Sequence, residues 1–378
     1  MDYFAESLKH HERYGGKLSI ESTIPLETKD DLSIAYTPGV AEPSRAIADD
    51  INAAYKYTIK KNSVAVISDG SAVLGLGNIG PTAAIPVMEG KCALFKKFAG
   101  IDAFPICVAS QDPEDIIRTA IMIEPVFGGI NLEDIAAPKC FEVENALINE
   151  LNIPVFHDDQ HGTAIVVAAA LLNALKLSCK AIASTKIAIS GAGAAGNSIA
   201  KMLLALGFID IIVCDSKGIL DINSPDSAKA ELATLTNPEA IKGGMPEAIA
   251  GADVFIGVSA PSILTQGMVR QMAKDPIVFA LANPTPEIMP DEAFAAGAKI
   301  VGTGRSDFAN QINNVLAFPG VFRGALDSKA AKITEEMKLA AINALASLAG
   351  ESIDMLLPSP FDERIVPAIS KAVAGAKQ

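Results

Sequence analysis

The chain has 378 residues and a formal net charge of −13. At one domain per ~100–200 residues this length holds about two domains, and the acidic balance argues against a nucleic-acid partner, whose phosphates need a basic footprint. Half the residues are apolar, only 5% are aromatic and none is Trp, which excludes intrinsic disorder and points to an α/β protein rich in Ala, Ile, Val and Leu.

Mean hydropathy is +0.32, which raises the question of a membrane. The most apolar run, 163–172, is closed by Asn173 and Lys176 and falls short of the ~20 residues a spanning helix needs. The N-terminal residues carry no apolar stretch of the secretory kind. The cysteines, Cys92, Cys107, Cys140, Cys179 and Cys214, are odd in number and widely spaced. That pattern fits reduced thiols in a cytoplasmic protein, not a disulfide or zinc framework.

In chain order, the first 60 residues read as short helices and loops, broken at Tyr36-Thr37-Pro38-Gly39-Val40. A buried strand is expected over 64–68, a helix over 79–88 and a strand over 103–108. A helix over 112–123 has Asp112 as its N-cap and Pro113 at its first position. Strands over 129–132 and 154–156 precede a long apolar helix over 160–175. A second α/β block opens with a strand over 186–190, a helix over 194–206 and a strand over 209–214. Further strands are expected over 254–258 and 277–281, and helices over 268–273 and 333–348. A loop and a final helix close the chain, and that helix is free to return to either domain. Strands alternating with helices predict parallel sheets built of βαβ units. The boundary between domains is expected near residue 165, giving units 1–164 and 165–378.

The second block contains Gly191-Ala192-Gly193-Ala194-Ala195-Gly196. A lone GxGxxG is weak, but this one follows an apolar strand and opens a helix. Asp215 ends the next strand, 24 residues after Gly191. The glycines suit a tight turn, close approach of backbone to a pyrophosphate, and close packing of helix on strand. Asp215 is placed to accept from ribose hydroxyls and repels a 2′-phosphate, whereas Lys217 could pair with one. NAD and NADP both stay open, with a lean to NAD.

Two acidic pairs and a lysine precede the fingerprint. Glu133-Asp134 and Asp158-Asp159 each follow a predicted strand, at the C-terminal ends where open α/β sheets bind ligands. Hard carboxylates converging there suit Mg²⁺ or Mn²⁺. The bland alternatives are a solvated turn for the first pair and an N-cap for the helix from Gln160 for the second. His157 and His161 are spaced i, i+4, as in a zinc-protease helix, but Asp158 stands where that motif needs its Glu. Lys91 follows Gly90 in an apolar context, where partial burial would lower its pKa towards base chemistry. Tyr36 reads as a buried Tyr in a loop. The stretch from Ser68 to Gly80 is a second Gly-rich turn without the lysine of a phosphate-binding loop.

In order, the segments AYTPGVAEPSRAI, VISDGSAVLGLGNIGPTAAIPVMEGKCALFKKFAGIDAFPI, GGINLEDIAAPKCFEVE, IPVFHDDQHGTAIV, the fingerprint, ALANPTPEI and NNVLAFPGVFRGAL resemble the malic enzyme family in its short bacterial form. The resemblance covers nearly the whole chain. It implies an N-terminal substrate and metal domain followed by a Rossmann-type NAD(P)-binding domain. The implied reaction is oxidative decarboxylation of L-malate to pyruvate and CO₂ with Mg²⁺ or Mn²⁺, in a homodimer or larger homo-oligomer. Residue by residue, it implies Glu133, Asp134 and Asp159 as metal ligands and Lys91 as general base. It further implies Tyr36 as general acid, Asp158 as the carboxylate orienting Lys91, and Asn283 and Asn314 as substrate amides, with Asn283 also close to the cofactor.

One departure stands out. Larger members carry an Arg at the position of Ala72 to hold a substrate carboxylate, and here that clamp is missing. Asn283, Asn314 and backbone amides of residues 71–77 are the candidate substitutes. Alternatives are a malolactic conversion of malate to lactate with bound NAD, and a non-catalytic dinucleotide sensor. The first 60 residues look too thin to bury their own apolar side chains, so they are expected to pack on a second subunit and carry Tyr36 across the interface.

Overall fold

The computed structural model describes residues 3–376 except Leu74 and Glu351; the Gly-rich turn after Ser68 is therefore described without Leu74. Three helices, α1 (Tyr3–Tyr14), α2 (Lys29–Ala35) and α3 (Ala41–Asp49), form an N-terminal arm. Two sheets follow. The first has strands β1 (Ser63–Ser68), β2 (Asp102–Cys107), β3 (Gly129–Leu132) and β4 (Val155–His157), in the order β2-β1-β3-β4 and parallel throughout. Its central strand, SVAVIS, is buried at every residue, as expected of a parallel strand covered on both faces.

The helices between these strands are α4 (Gly80–Ala99), α5 (Pro113–Ile123) and α6 (Lys139–Glu150). Asp112 caps α5, its Oδ1 accepting from the Glu114 amide at 2.9 Å. The α4 helix runs well beyond the expected 79–88, because neither Pro86 nor Gly90 ends it. It closes at Gly100, in the left-handed region at φ +65°. The α6 helix was not anticipated.

After β4 comes α7 (Asp158–Ser178), the link between the two sheets. By length and composition alone it could cross a membrane. The expectation of no such helix failed because the helix continues through Asn173 and Lys176. Here α7 is the core helix of the molecule: residues 164–171 are all buried, and Asn173 spends its amide on the Ala346 and Leu356 carbonyls at 3.0 and 2.9 Å.

The second sheet contains β5 (Lys186–Ser190), β6 (Asp210–Asp215), β7 (Gly218–Ile219), β8 (Val254–Gly257), β9 (Ile277–Ala280) and β10 (Ile300–Thr303). Its order is β10-β9-β8-β5-β6-β7, parallel except for the short antiparallel edge strand β7. The α8 helix (Ala194–Ala205) follows β5. The chain runs to both sides of β5, so the end of β5 is the topological switch point where such sheets bind ligands.

Three more helices, α9 (Phe318–Asp327), α10 (Glu335–Ser347) and α11 (Ile365–Gly375), finish the chain. The α9 helix returns to the first sheet. Phe322 meets Phe95 of α4 and Phe156 of β4 edge-on, and Phe318 meets Phe95 at 4.7 Å between ring centroids. Each buried Phe contributes about 1.5–3 kcal/mol, and each such ring pair about 0.5–1.5 more. The α11 helix packs on α9, with Ile369 and Val373 filling the space over Gly320 and Gly324. One apolar cluster runs from Val64 and Phe95 through Ile165 and Leu171 to Ile187 and Ile342, so both sheets share a core across α7.

Candidate active site

The carboxylates and the lysine meet at the C-terminal ends of β3 and β4. Lys91 lies inside α4, not after it, and is 8% exposed. Its Nζ donates to Asp158 Oδ2 at 2.6 Å and lies 2.9 Å from Glu133 Oε1. The ring of Phe318 stands 4.3 Å from the same nitrogen, an additional cation–π contact. Asp158 and Asp159 occupy the first turn of α7, whose N-cap position is His157 with no side-chain cap. Neither Asp caps the helix, contrary to the bland alternative.

Asp158 is fully buried, and its Oδ1 has no hydrogen-bond partner among the described residues. Room for that oxygen exists because residue 162 is Gly: a Cβ there would lie 1.7 Å from Oδ1 and 3.3 Å from the Asn314 Cβ. Asn314 therefore stands over the Lys91–Asp158 pair.

Glu133, Asp134 and Asp159 each offer a carboxylate oxygen, all within 4.8 Å of one another. Glu133 is oriented by Asn131, whose amide donates to Oε2 at 2.9 Å. Asp159 Oδ2 accepts from the Asp134 amide at 2.8 Å. Asp134 holds a left-handed backbone, φ +54°, a conformation Asp tolerates better than most residues. Burial raises the pKa of Glu133, Asp158 and Asp159, and Lys91 opposes that rise. Burial pulls Lys91 the other way, but Asp158, Glu133 and Asp159 outweigh it and raise its pKa above the usual lysine range. The expected burial of Lys91 is present, and the expected lowering is reversed by the acids around it. Several buried carboxylates around one ammonium leave surplus negative charge, which is costly without a cation. A hard oxygen set of this kind fits Mg²⁺ or Mn²⁺.

The dinucleotide fingerprint lies at the switch point. Gly191 has φ +117°, and a Cβ on it would lie 2.6 Å from the Val258 carbonyl oxygen. Gly196 is held against the start of the turn: its Cβ would meet the Gly191 carbonyl oxygen at 1.8 Å. Nothing lies within 4 Å of a Cβ placed on Gly193. Ala192 is buried behind the turn, while Ala194 and Ala195 are half-exposed in the first turn of α8. The open space at Gly193, before a helix N-terminus, is the shape a pyrophosphate needs. Asp215 ends β6. Its Oδ1 accepts from the Lys217 amide at 2.8 Å and its Oδ2 from Lys229 Nζ at 2.7 Å. Burial raises its pKa, but Lys229 and the Lys217 amide hold it below the usual carboxylate range.

Asn283 lies just beyond β9, between the Gly-rich turn and the end of β10. Its backbone oxygen would lie 2.9 Å from a Cβ on Gly75, and its amide nitrogen 2.5 Å from one on Gly304. The Gly-rich turn reaches back to the carboxylates, with the Ala72 amide donating to the Asp134 carbonyl at 3.0 Å.

Comparison with known proteins agrees with this geometry. The family model described as "Malic enzyme, N-terminal domain" matches residues 15–117, and "Malic enzyme, NAD binding domain" matches residues 160–376. The chain is 57% identical to a bifunctional malic/malolactic enzyme of Bacillus subtilis, over 98% of this chain and 92% of that one. The chain belongs to the malic enzyme family. It is also 56% identical to an NAD-dependent malic enzyme of Geobacillus stearothermophilus, over 96% of this chain and 77% of the relative. The crystal structure of an NAD-dependent malic enzyme from Thermotoga maritima superposes with a TM-score of 0.95 at 50% identity, covering 98% of this chain and 99% of that one.

Two sequence readings need correction within that family frame. Tyr36 is not buried: it is 67% exposed at the end of α2. Among the described residues before β1, only Ala54 and Lys60 are buried, so the arm has almost no core of its own to cover a Tyr. The zinc-protease spacing also dissolves. His157 is fully buried at the end of β4, while both ring nitrogens of His161 are engaged, Nε2 with Glu144 at 3.0 Å and Nδ1 with Ser198 at 3.2 Å.

Glu144 itself escaped sequence reading. It sits in α6, 4% exposed, and accepts from the His157 amide at 2.8 Å, Gln160 Nε2 at 2.9 Å and the His161 ring. Burial raises its pKa, but His161 and the His157 amide more than reverse this and hold it ionised. Glu144 thus pins the β4–α7 junction that presents Asp158 and Asp159. Phe318 and Lys229 were missed as well: Phe318 reaches Lys91 from far along the chain, and Lys229 reaches Asp215 from a separate helix.

Proposed function

We propose that the chain oxidatively decarboxylates L-malate to pyruvate and CO₂ while reducing a nicotinamide dinucleotide. The observation that carries this reading is a buried lysine–aspartate pair joined to a three-carboxylate cluster, in one chain with a dinucleotide cradle at the switch point of the second sheet. A divalent cation held by Glu133, Asp134 and Asp159, Mg²⁺ or Mn²⁺, supplies Lewis-acid polarisation of the substrate oxygens and offsets the acid charge that keeps Lys91 protonated. With a nicotinamide bound to accept hydride from C2, Lys91 Nζ would be the group that takes the proton of the 2-hydroxyl. Asp158 fixes the direction of that nitrogen. Loss of CO₂ would leave the enolate of pyruvate, whose C3 needs a proton, and Tyr36 is the proposed donor.

Tyr36 belongs to an arm whose apolar side chains are widely exposed: Phe4 82%, Leu8 75%, Ile20 88% and Ile34 75%. Exposed apolar surface on this scale marks a protein contact. We infer a homodimer or larger homo-oligomer in which the arm of one copy covers a second and carries Tyr36 to its chamber. NAD is the favoured cofactor, because Asp215 at the end of β6 supports acceptance from ribose hydroxyls and repels a 2′-phosphate. Lys217 and Lys229 beside it support NADP as the second choice. The free thiols support a reducing, cytoplasmic setting.

Product analysis tests the reading. Malate with Mn²⁺ and NAD is expected to give pyruvate and NADH in equal amounts, faster than with NADP. Lactate without net NADH would instead support the malolactic reading, which the name of the Bacillus subtilis relative brings forward. Cofactor binding with neither product would leave a dinucleotide sensor.

A further inference from the structure

A dianionic substrate in an acidic chain needs a cation for each end. The carboxylate cluster provides for one end through its metal. Ala72, at the cluster end of the Gly-rich turn, offers no charge for the other end. Lys91 is committed to Asp158 and Glu133, and Lys139 to Asp69. Arg305 is also paired, with Asp307, but its guanidinium has more N–H groups than that pairing uses.

Arg305 follows β10, directly after Gly304, which abuts the Asn283 amide. Its backbone amide is tied to Thr303 Oγ1 at 3.3 Å, and its guanidinium lies 5.1 Å from the Phe308 ring centroid. Asp307 takes Nε and Nη2 at 2.9 and 2.6 Å, and the Pro284 carbonyl takes Nη1 at 3.1 Å. A guanidinium has five N–H groups. Among the described residues, these three bonds leave one N–H on each terminal nitrogen, the pair that can hold a carboxylate bidentately.

The placement is equally specific. The ring of Pro284, whose carbonyl Arg305 touches, would lie 3.0 Å from a Cβ on Gly75. Gly75 is three residues from Ala72, whose amide is bonded to the metal-cluster residue Asp134. One short loop therefore spans from the carboxylate cluster to the wall on which Arg305 stands. Asn283 touches both Gly75 of that loop and Gly304 beside Arg305.

We propose that Arg305 is the carboxylate clamp of this chain, holding the C4 carboxylate of the substrate in place of the cation missing at position 72. The inference rests on the malate reading above. It makes Arg305 a specificity-determining residue for four-carbon dicarboxylates. Oxalate, which has no C3–C4 arm, needs only the metal.

Calorimetric binding to the Mn²⁺-loaded protein without nicotinamide cofactor tests this, since no turnover intervenes. Arg305→Ala is expected to weaken malate by about 10- to 100-fold, the size of a lost charge-assisted pair, and to leave oxalate within about twofold. Arg305→Lys is expected to recover part of the malate affinity, as a point charge without the fork. In turnover, KM for malate should rise more than kcat falls. Unchanged malate affinity in Arg305→Ala, or equal weakening of malate and oxalate in both variants, would overturn the clamp. Wild-type protein that binds Mn²⁺ and oxalate but no malate would overturn the malate reading as well.

Discussion

Glu144 shows how a residue outside the chamber governs those within it. Its carboxylate gathers the His157 amide, Gln160 and His161 onto one buried point, and the next two residues after His157 are Asp158, the partner of Lys91, and Asp159 of the carboxylate cluster. Glu144→Gln keeps the volume but turns one acceptor oxygen into a donor facing the donors of Gln160 and His161. Partners that orient metal ligands from behind typically change metal affinity or activity by about 10- to 100-fold. The expected outcome is a fall of that size in both kcat and Mn²⁺ affinity, with cofactor affinity within about twofold, because the fingerprint is held by its own contacts at Gly191 and Gly196. Titrating Mn²⁺ and cofactor separately checks this. A parallel loss of both affinities would mean that Glu144 only supports the fold. The sequence contains no local sign of this role: Glu144 lies in a helix with an ordinary polar–apolar pattern, and its partners come from another element. The acids themselves were legible, because each pair directly follows a strand and that position faces the ligand end of the sheet.

Among the elements, the first turn of α7 does the most work. It carries Asp158, Asp159, Gln160 and His161, and at Gly162 the helix gives up a side chain to make room for the Asp158 carboxylate. Ala is favoured over Gly inside a helix by about 1 kcal/mol. Breaking a buried ion pair costs about 3–5 kcal/mol, so the second effect wins. Gly162→Ala is therefore expected to lower stability by about 2 kcal/mol or more and to remove most of the activity. Denaturant melts and initial rates measure the two, and a stabilised, active variant would show that Asp158 has room to move. Elements were readable wherever periodicity was local. The strand over 129–132 and the strand over 186–190 have the expected bounds, and α5 has its expected cap. Lengths failed where tertiary packing overrode local signals. Pro86 and Gly90 sit inside α4 without ending it, and α7 starts two residues before and ends three residues after the expected 160–175. The α9 helix was missed because its apolar face is matched to Phe95 and Phe156, which lie far away in the chain.

At the scale of the whole molecule, the two α/β units and their parallel sheets follow from strand–helix alternation, and the shared core across α7 fixes one against the other. The arm is the exception. It touches its own chain through Lys17, which bonds Glu89 and the Pro86 carbonyl of α4 at 3.0 and 2.7 Å, yet it leaves most of its apolar side chains in solvent. The proposed second copy accounts for that imbalance and for the exposure of Tyr36 together. Mixing inactive Tyr36→Phe and Lys91→Ala chains under subunit exchange tests it. If Tyr36 crosses to the partner, mixed dimers contain one intact chamber, and about a quarter of wild-type activity should return. No recovery, with exchange verified by mass, would place Tyr36 in the chamber of its own chain.

The central claim is that the buried acids and the dinucleotide cradle form one metal-dependent malate-oxidising site. The most direct measurement is the initial rate of cofactor reduction by L-malate against Mn²⁺ concentration, for wild type and Asp159→Ala. The wild type is expected to saturate with Mn²⁺ and to stop on chelation, while folded Asp159→Ala that still binds cofactor loses at least about 100-fold in rate. Malate oxidation that is indifferent to chelation, or unchanged in Asp159→Ala, would contradict the account.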